Sequence, residues 1–367
     1  MILIALIAFL TALAVAALVI RWGRASARVY RQDMPQRFHL GHVPRLGGIA
    51  LLAGVTVGWL LGLWQTMRFG DPASLRLGPW VGWWLLALAP AVLGGMVEDA
   101  TQRLAVRWRL ALTVLTAVLA VALLGLQIPR LGVGWLDAVL VKLPWLGIGI
   151  ALLAIAGLPH AFNIIDGYNG LAAMVALIVC LALAHVAMQV GDRSLAVLLV
   201  STAAATGGFL VWNYPRGMIF AGDGGAYVWG IVIAIASVSL VQRNLAVSPW
   251  FPVLLLIYPV WETMFSIYRK LVRGVSPGVA DALHFHQLIY RRIVKGVFDE
   301  DVSRRMLSRN NRTSPYLWGF TLLTVVPAVL AWQNTPLLMV LCALFVVAYV
   351  VAYLAIVRFK VPGWIQG

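Results

Sequence analysis

Residues 2–20 read ILIALIAFLTALAVAALVI, without one charged side chain, and Arg21, Arg24 and Arg28 follow at once. At about 1.5 Å per residue this stretch is long enough for a helix to cross the ~30 Å hydrocarbon core of a bilayer. A secretory signal carries its positive charge before the apolar run. Here the charge comes after it, so the run reads as an uncleaved transmembrane anchor with its N-terminus outside. Ten comparable apolar stretches follow, near 46–65, 79–97, 111–127, 143–160, 170–190, 195–212, 224–242, 250–267, 316–333 and 337–357. The expectation is an all-α, polytopic integral membrane protein of about eleven transmembrane helices, forming a single domain over residues 1–367.

Composition agrees with that reading. The chain is 62% hydrophobic and 11% charged, where soluble proteins carry about 25% charged residues. A formal net charge of +15 would suit nucleic acid in a soluble protein. In a membrane protein it reflects basic loops on the cytoplasmic side, and no nucleic acid partner is expected. An odd number of spans starting outside leaves the C-terminus inside. The loops then assigned to the inner side lie near 21–45, 98–110, 160–170, 213–225 and 268–315. With the tail 358–367 they hold 22 of the Lys and Arg residues, and the opposite loops hold 6. Cys180 and Cys342 both sit in apolar runs, which excludes a disulfide framework and a zinc site.

Acidic residues are scarce, so their positions inform. Asp71, Asp137 and Asp192 fall in short outer loops. On the inner side Glu98-Asp99 ends one span, Asp166 precedes another and Asp223 begins a third. A carboxylate near hydrocarbon is costly and usually pairs, binds a metal or does chemistry. An aspartate at a helix start also caps it, so one such residue would carry little, but all four lie on one side. Amides and glycines accompany them in His160-Ala-Phe-Asn163-Ile-Ile-Asp166-Gly167-Tyr-Asn169-Gly170 and in Asn213-Tyr-Pro215-Arg216 followed by Phe220-Ala-Gly222-Asp223-Gly224-Gly225. Glycine lets backbone N–H groups approach a ligand closely, as phosphate requires. Carboxylate and amide oxygens without cysteine suit Mg²⁺, or Mn²⁺ in its place. Two inner loops add basic and imidazole groups: Pro44-Arg45-Leu-Gly47-Gly48, and the 268–315 loop with Arg273, Asp281, His284 and His286. The histidines are two apart and would diverge on a regular helix, whereas a turn can aim both inward. Residues 283–297 also have the pattern of a basic interfacial helix.

In this order the motifs resemble the polyprenyl-phosphate N-acetylhexosamine-1-phosphate transferases, the family that also includes phospho-N-acetylmuramoyl-pentapeptide transferase. The resemblance covers nearly the whole chain: Pro-Arg-x-Gly-Gly, the acidic pair, Asn-x-x-Asp-Gly-x-x-Gly-Leu, the Gly-Asp loop and His-x-His. It implies a periplasmic N-terminus, a cytoplasmic C-terminus and a cytoplasmic active site in the bacterial inner membrane. The implied reaction moves a sugar 1-phosphate from a UDP-N-acetylhexosamine to undecaprenyl phosphate, with Mg²⁺ and release of UMP, as a first membrane step of O-antigen or other surface polysaccharide synthesis. By motif position Asp223 is implied as metal ligand, with Asp166 beside it. Glu98, Asp99, Asn163, Asp166, His284 and His286 are implied as the catalytic set. Arg45, Gly47, Gly48, Asn169, Asn213, Arg216, Gly222, Arg273 and Asp281 are taken as substrate-binding residues. Where the family usually has Asp-Asp this chain has Glu98-Asp99, and His160 and Asn169 replace the Asn and Asp of the peptidoglycan enzyme, which places it nearer the surface-polysaccharide branch. The peptidoglycan enzyme is the runner-up within the family. A lipid or sugar transporter and a lipid-phosphate hydrolase are the rivals outside it. A homodimer is compatible with all of these.

Overall fold

The computed structural model describes residues 1–23, 43–69, 77–276, 283–294 and 301–358, and among them every regular element is a helix. In chain order these are α1 (Ile2–Trp22), α2 (Gly47–Phe69), α3 (Val81–Thr101), α4 (Val106–Leu124), α5 (Gly134–Lys142), α6 (Pro144–Ile165), α7 (Leu171–Gln189), α8 (Arg193–Asn213), α9 (Gly222–Arg243), α10 (Trp250–Leu255), α11 (Ile257–Val272), α12 (Phe285–Arg292), α13 (Val302–Leu330) and α14 (Thr335–Val357). Local chemistry sets several of the ends. Asp192 caps α8 by accepting from Leu195 N–H at 3.1 Å, and Asn334 caps α14 through Leu337 N–H at 3.1 Å. Gly125 closes α4 at φ +62°, a left-handed conformation that glycine adopts without steric cost.

Among the described residues ten helices are long and apolar enough to cross a membrane, one fewer than the eleven spans read from the sequence. The difference lies at 250–267. That stretch is not one helix but two, α10 and α11, separated at Leu256. Pro259 has no N–H to give to the carbonyl of Leu255, so the ladder of hydrogen bonds is interrupted there. α11 also runs five residues beyond the expected span, to Val272, and α13 begins at Val302 rather than near 316.

α9 is the axis of the bundle. Every residue from Gly222 to Val241 is buried, although the segment is almost free of charge and would be at home in lipid. Helices α2, α3, α6, α7 and α8 surround it. α1 packs on α2 and α8 through Ala8, Ala12 and Ala16, all fully buried. Small residues suit such contacts, since association in lipid depends on close packing rather than on the hydrophobic effect. α4 covers α3 and α6, and α13 covers α7, while α10 and α12 each contact α13 and α14 and α11 lies on α6.

At the C-terminal end of α9, Arg130 donates to the carbonyls of Val241 (3.1 Å), Asn244 (3.0 Å), Leu245 (3.1 Å) and Val247 (2.7 Å). One guanidinium thus satisfies carbonyls that a helix terminus leaves open, and its charge complements the helix dipole. Arg130→Met is expected to destabilise the fold by about 2 kcal/mol, read as a lower thermal unfolding midpoint in detergent. The chemistry proposed below takes place at the far end of α9, some 33 Å away at 1.5 Å per residue, so turnover should not change.

Candidate active site

The other end of α9 is built on glycine. Gly48 of α2 and Gly95 of α3 both lie against the backbone of Gly224. A Cβ on Gly48 would come within 2.6 Å of Gly225 N, and one on Gly95 within 2.7 Å of Gly224 N. Backbone cannot swing aside, so only glycine lets the three helices meet this closely. The strand-like stretch ahead of α2 seals the junction: Phe220 N–H donates to Pro44 O at 2.9 Å, Gly47 N–H to Phe220 O at 2.9 Å and Gly48 N–H to Ala221 O at 3.0 Å.

Into this junction α3 delivers Asp99. One of its carboxylate oxygens accepts from Asp223 N–H and the other from Gly224 N–H, each at 2.9 Å. A side chain from another helix therefore caps the first turn of α9. Gly222, at φ +70°, makes room for it, because a Cβ there would overlap both Asp99 oxygens. Asp99 and Asp223 are 6% and 5% exposed, so the two acids are held in a shielded place. The counter-charge comes from α4: Arg109 Nη1 lies 2.6 Å from Asp223 Oδ2. Arg45 supplies a second positive charge that reaches both Asp99 and Asp166.

Asp166 follows the last residue of α6 and senses the charge of Asp223. Burial pushes its carboxyl up to about 7, with Arg45 pulling it down and Asp223 pushing it up. Asn163, one turn earlier on α6, sits beside the hydroxyl of Tyr227 on α9. His160 packs edge-on to the Tyr227 ring at 5.5 Å and pairs through Nε2 with Thr113 Oγ1 at 3.0 Å. The Thr113 hydroxyl proton is directed to Leu110 O at 2.9 Å, so His160 donates from Nε2.

The two histidines of the 268–315 loop join this end. His284 has extended backbone (φ −65°, ψ 149°) and precedes α12, in which His286 is the second residue. Their rings stack in parallel, 5.4 Å apart and inclined by 6°. His286 lies against Gly167 and edge-on to Tyr168 at 5.5 Å, which puts the His-x-His turn on the Asn163–Gly170 loop. α12 is not laid out as an interfacial helix along this stretch: Phe285–Tyr290 are all buried.

Other residues singled out in the sequence have different surroundings. Glu98 closes the α3–α4 turn, accepting from Leu104 N–H at 2.7 Å. Asn169 is 1% exposed. Its N–H donates to Asn310 at 2.8 Å, its side-chain amide to Asn311 at 3.0 Å, and its carbonyl accepts from Ser314 at 2.6 Å. Asn213, also buried, accepts from Gly170 N–H at 2.6 Å and donates to Ile219 O at 2.7 Å. Both asparagines tie neighbouring segments to one another, and Asn169 keeps its side-chain oxygen Oδ1 buried without a hydrogen-bond partner. Gly47, Gly48 and Gly222 shape the junction through close backbone approach. Arg216 and Arg273 are exposed, and Asp281 lies outside the described residues.

Two residues that sequence reasoning did not single out belong here. Arg109 had been counted only as one inner-side charge, yet it neutralises Asp223. Glu262 on α11 is fully buried and bonds His284 Nδ1 at 2.9 Å. A carboxylate inside an apolar stretch is the signal that could have found it.

As a metal centre, this arrangement is an incomplete cage. Among the described residues no group of three or more His, Cys, Asp or Glu side chains converges. Mg²⁺ does not require one, since it is usually held by one or two carboxylates plus substrate phosphates and water. Asp223 and Asp166, hard oxygen donors close enough to interact, fit that pattern.

Residues 80–241 match the model of Glycosyl transferase family 4, the region from the start of α3 to the end of α9 that carries most of the cluster. The fold is that of a polytopic membrane protein, and this central part of it is similar to that family. Similar proteins include the probable undecaprenyl-phosphate N-acetylglucosaminyl 1-phosphate transferase of Bacillus subtilis (strain 168), 27% identical over 72% of this chain and 70% of its own length. The undecaprenyl-phosphate alpha-N-acetylglucosaminyl 1-phosphate transferase of Thermotoga maritima is 29% identical over 56% of this chain and 60% of its own. The phospho-N-acetylmuramoyl-pentapeptide-transferase of Moorella thermoacetica is 29% identical over 61% and 69%.

Proposed function

We propose that the chain transfers an N-acetylhexosamine 1-phosphate from a UDP-sugar to undecaprenyl phosphate at the cytoplasmic face of the bacterial inner membrane. The names of its relatives supply the acceptor class. The observation that carries the reading is the first turn of α9, where Asp223 is clamped by Asp99, faced by Arg109 and joined by Asp166 and Arg45.

The physical problem at such a site is repulsion. Both reactants are anions, and each unit-charge pair at 4 Å costs about 1 kcal/mol in water and about 4 kcal/mol at an effective dielectric constant near 20. Arg45 and Arg109 provide fixed positive charge. Asp223 and Asp166 would hold Mg²⁺ (or Mn²⁺), which when bound supplies further charge to offset the phosphates. An oxygen of the lipid phosphate bonds to the β-phosphorus of the nucleotide, and the bond from that phosphorus to the bridging oxygen breaks, so UMP leaves with its electron pair. A phosphate monoester has a second pKa near 6, so at pH 7 it is mostly dianionic and needs no general base. Positioning is then the main task of the carboxylates. The polyprenyl tail explains why the fold spans a membrane, since leaving the bilayer would cost about 0.8 kcal/mol per CH₂.

The test is purified protein supplied with undecaprenyl phosphate and a panel of UDP-sugars that includes UDP-N-acetylglucosamine and UDP-N-acetylmuramoyl-pentapeptide, with lipid products read by mass spectrometry. Acceptor-dependent UMP release and a lipid-diphospho-sugar are expected. Turnover with the pentapeptide donor alone moves the assignment to the peptidoglycan reaction, and no product from any donor overturns the reading. A burst of UMP without acceptor would contradict direct attack.

A further inference from the structure

Glu262 is 0% exposed, and a carboxylate so placed is costly unless donors surround it. Its donors come from the His-x-His turn and from α14. His284 Nδ1 lies at 2.9 Å, and Phe285 N–H is 3.3 Å from both carboxylate oxygens. The Tyr349 hydroxyl also donates to it. Phe285 N–H and the Tyr349 hydroxyl both donate to it, so Glu262 acts as an ionised acceptor, and an ionised carboxylate has no proton to give. The proton between it and His284 then belongs to Nδ1. Gln287 fixes the same turn from the other side, accepting from His284 N–H at 3.1 Å. The parallel ring of His286 then rests on the loop that carries Asp166.

We infer that Glu262 is a positioning residue for phosphate transfer: it holds the His-x-His turn against the loop that carries Asp166 and keeps the His284 proton on Nδ1. That the turn serves phosphate transfer rests on the function proposed above; the tautomer does not.

The experiment pairs ring nitrogen NMR of ¹⁵N-histidine-labelled protein in nanodiscs with steady-state kinetics. The His284 signal is identified by its loss in His284→Gln. In the wild type it should report a protonated Nδ1. In Glu262→Gln it should shift toward the Nε2-protonated form, with kcat reduced roughly 10- to 100-fold, as for other outer carboxylate–histidine partners, and KM for the UDP-sugar little changed. Glu262→Asp keeps the charge and withdraws it by one methylene, so it should retain the tautomer and lose less activity. Wild-type kcat in Glu262→Gln, an unchanged tautomer alongside a lost kcat, or equal losses in the two variants would overturn the inference. A wild-type protein inactive with every donor would remove the proposed function, while the NMR would still decide the Glu262–His284 pairing.

Discussion

Asp223→Asn is expected to lower turnover about a thousandfold, the scale of losing a principal electrostatic element of a phosphoryl-transfer site. The substitution preserves volume and leaves the backbone N–H that donates to Asp99, so α9 should still start at Gly222. What disappears is the negative charge facing Arg109 at 2.6 Å, and with it one of two carboxylates fit to hold a divalent ion. Unfolding measured in parallel should show a folded protein, because the pair is only partly shielded on the arginine side. Near-normal turnover in Asp223→Asn would remove this residue from the proposed metal site.

Asp99→Asn is expected to be almost as damaging, for another reason. Both Asp99 oxygens accept from consecutive N–H groups of α9. An asparagine can satisfy only one, and its NH₂ must face the other donor. Leaving a buried N–H unsatisfied costs about 1–3 kcal/mol, and the lost charge at the helix start adds a few tenths to 1 kcal/mol. The first turn of α9 carries Asp223, so its displacement should appear as a raised Mg²⁺ requirement together with a turnover loss of roughly a hundredfold at ordinary Mg²⁺ concentrations. A variant that loses turnover with an unaltered Mg²⁺ dependence would show that Asp99 acts on the substrates directly rather than through Asp223.

The parts of this architecture that are local in sequence could be read from it. Apolar runs give the spans because a helix must be apolar over about 20 residues to cross lipid. The cluster of Asp99, Asp166 and Asp223 was legible because carboxylates are rare in this chain and all three fall at span ends on one side. Three things were not legible. Arg109 is one of many inner-side cations, and only folding brings it to a partner 114 residues away. Glu262 looks like a tolerated charge in an apolar stretch until its partners arrive from α12 and α14. The structural bonds of Asn169 to α13 and of Asn213 to Gly170 join segments far apart in sequence, so nothing local in the chain marked them. The broken span at Leu256 had a visible cause in Pro259, overridden in the reading by the unbroken hydropathy of 250–267.

Because α9 is enclosed on every side and its first turn is locked by backbone contacts no side chain can relax, Asp223 is mounted on a fixed post. α11 rests on α6, and α12 packs on α13 and α14. The carboxylate and the imidazoles thus reach the same end of the bundle on two different sets of supports, one a buried central helix and the other a short helix carried by its outer neighbours.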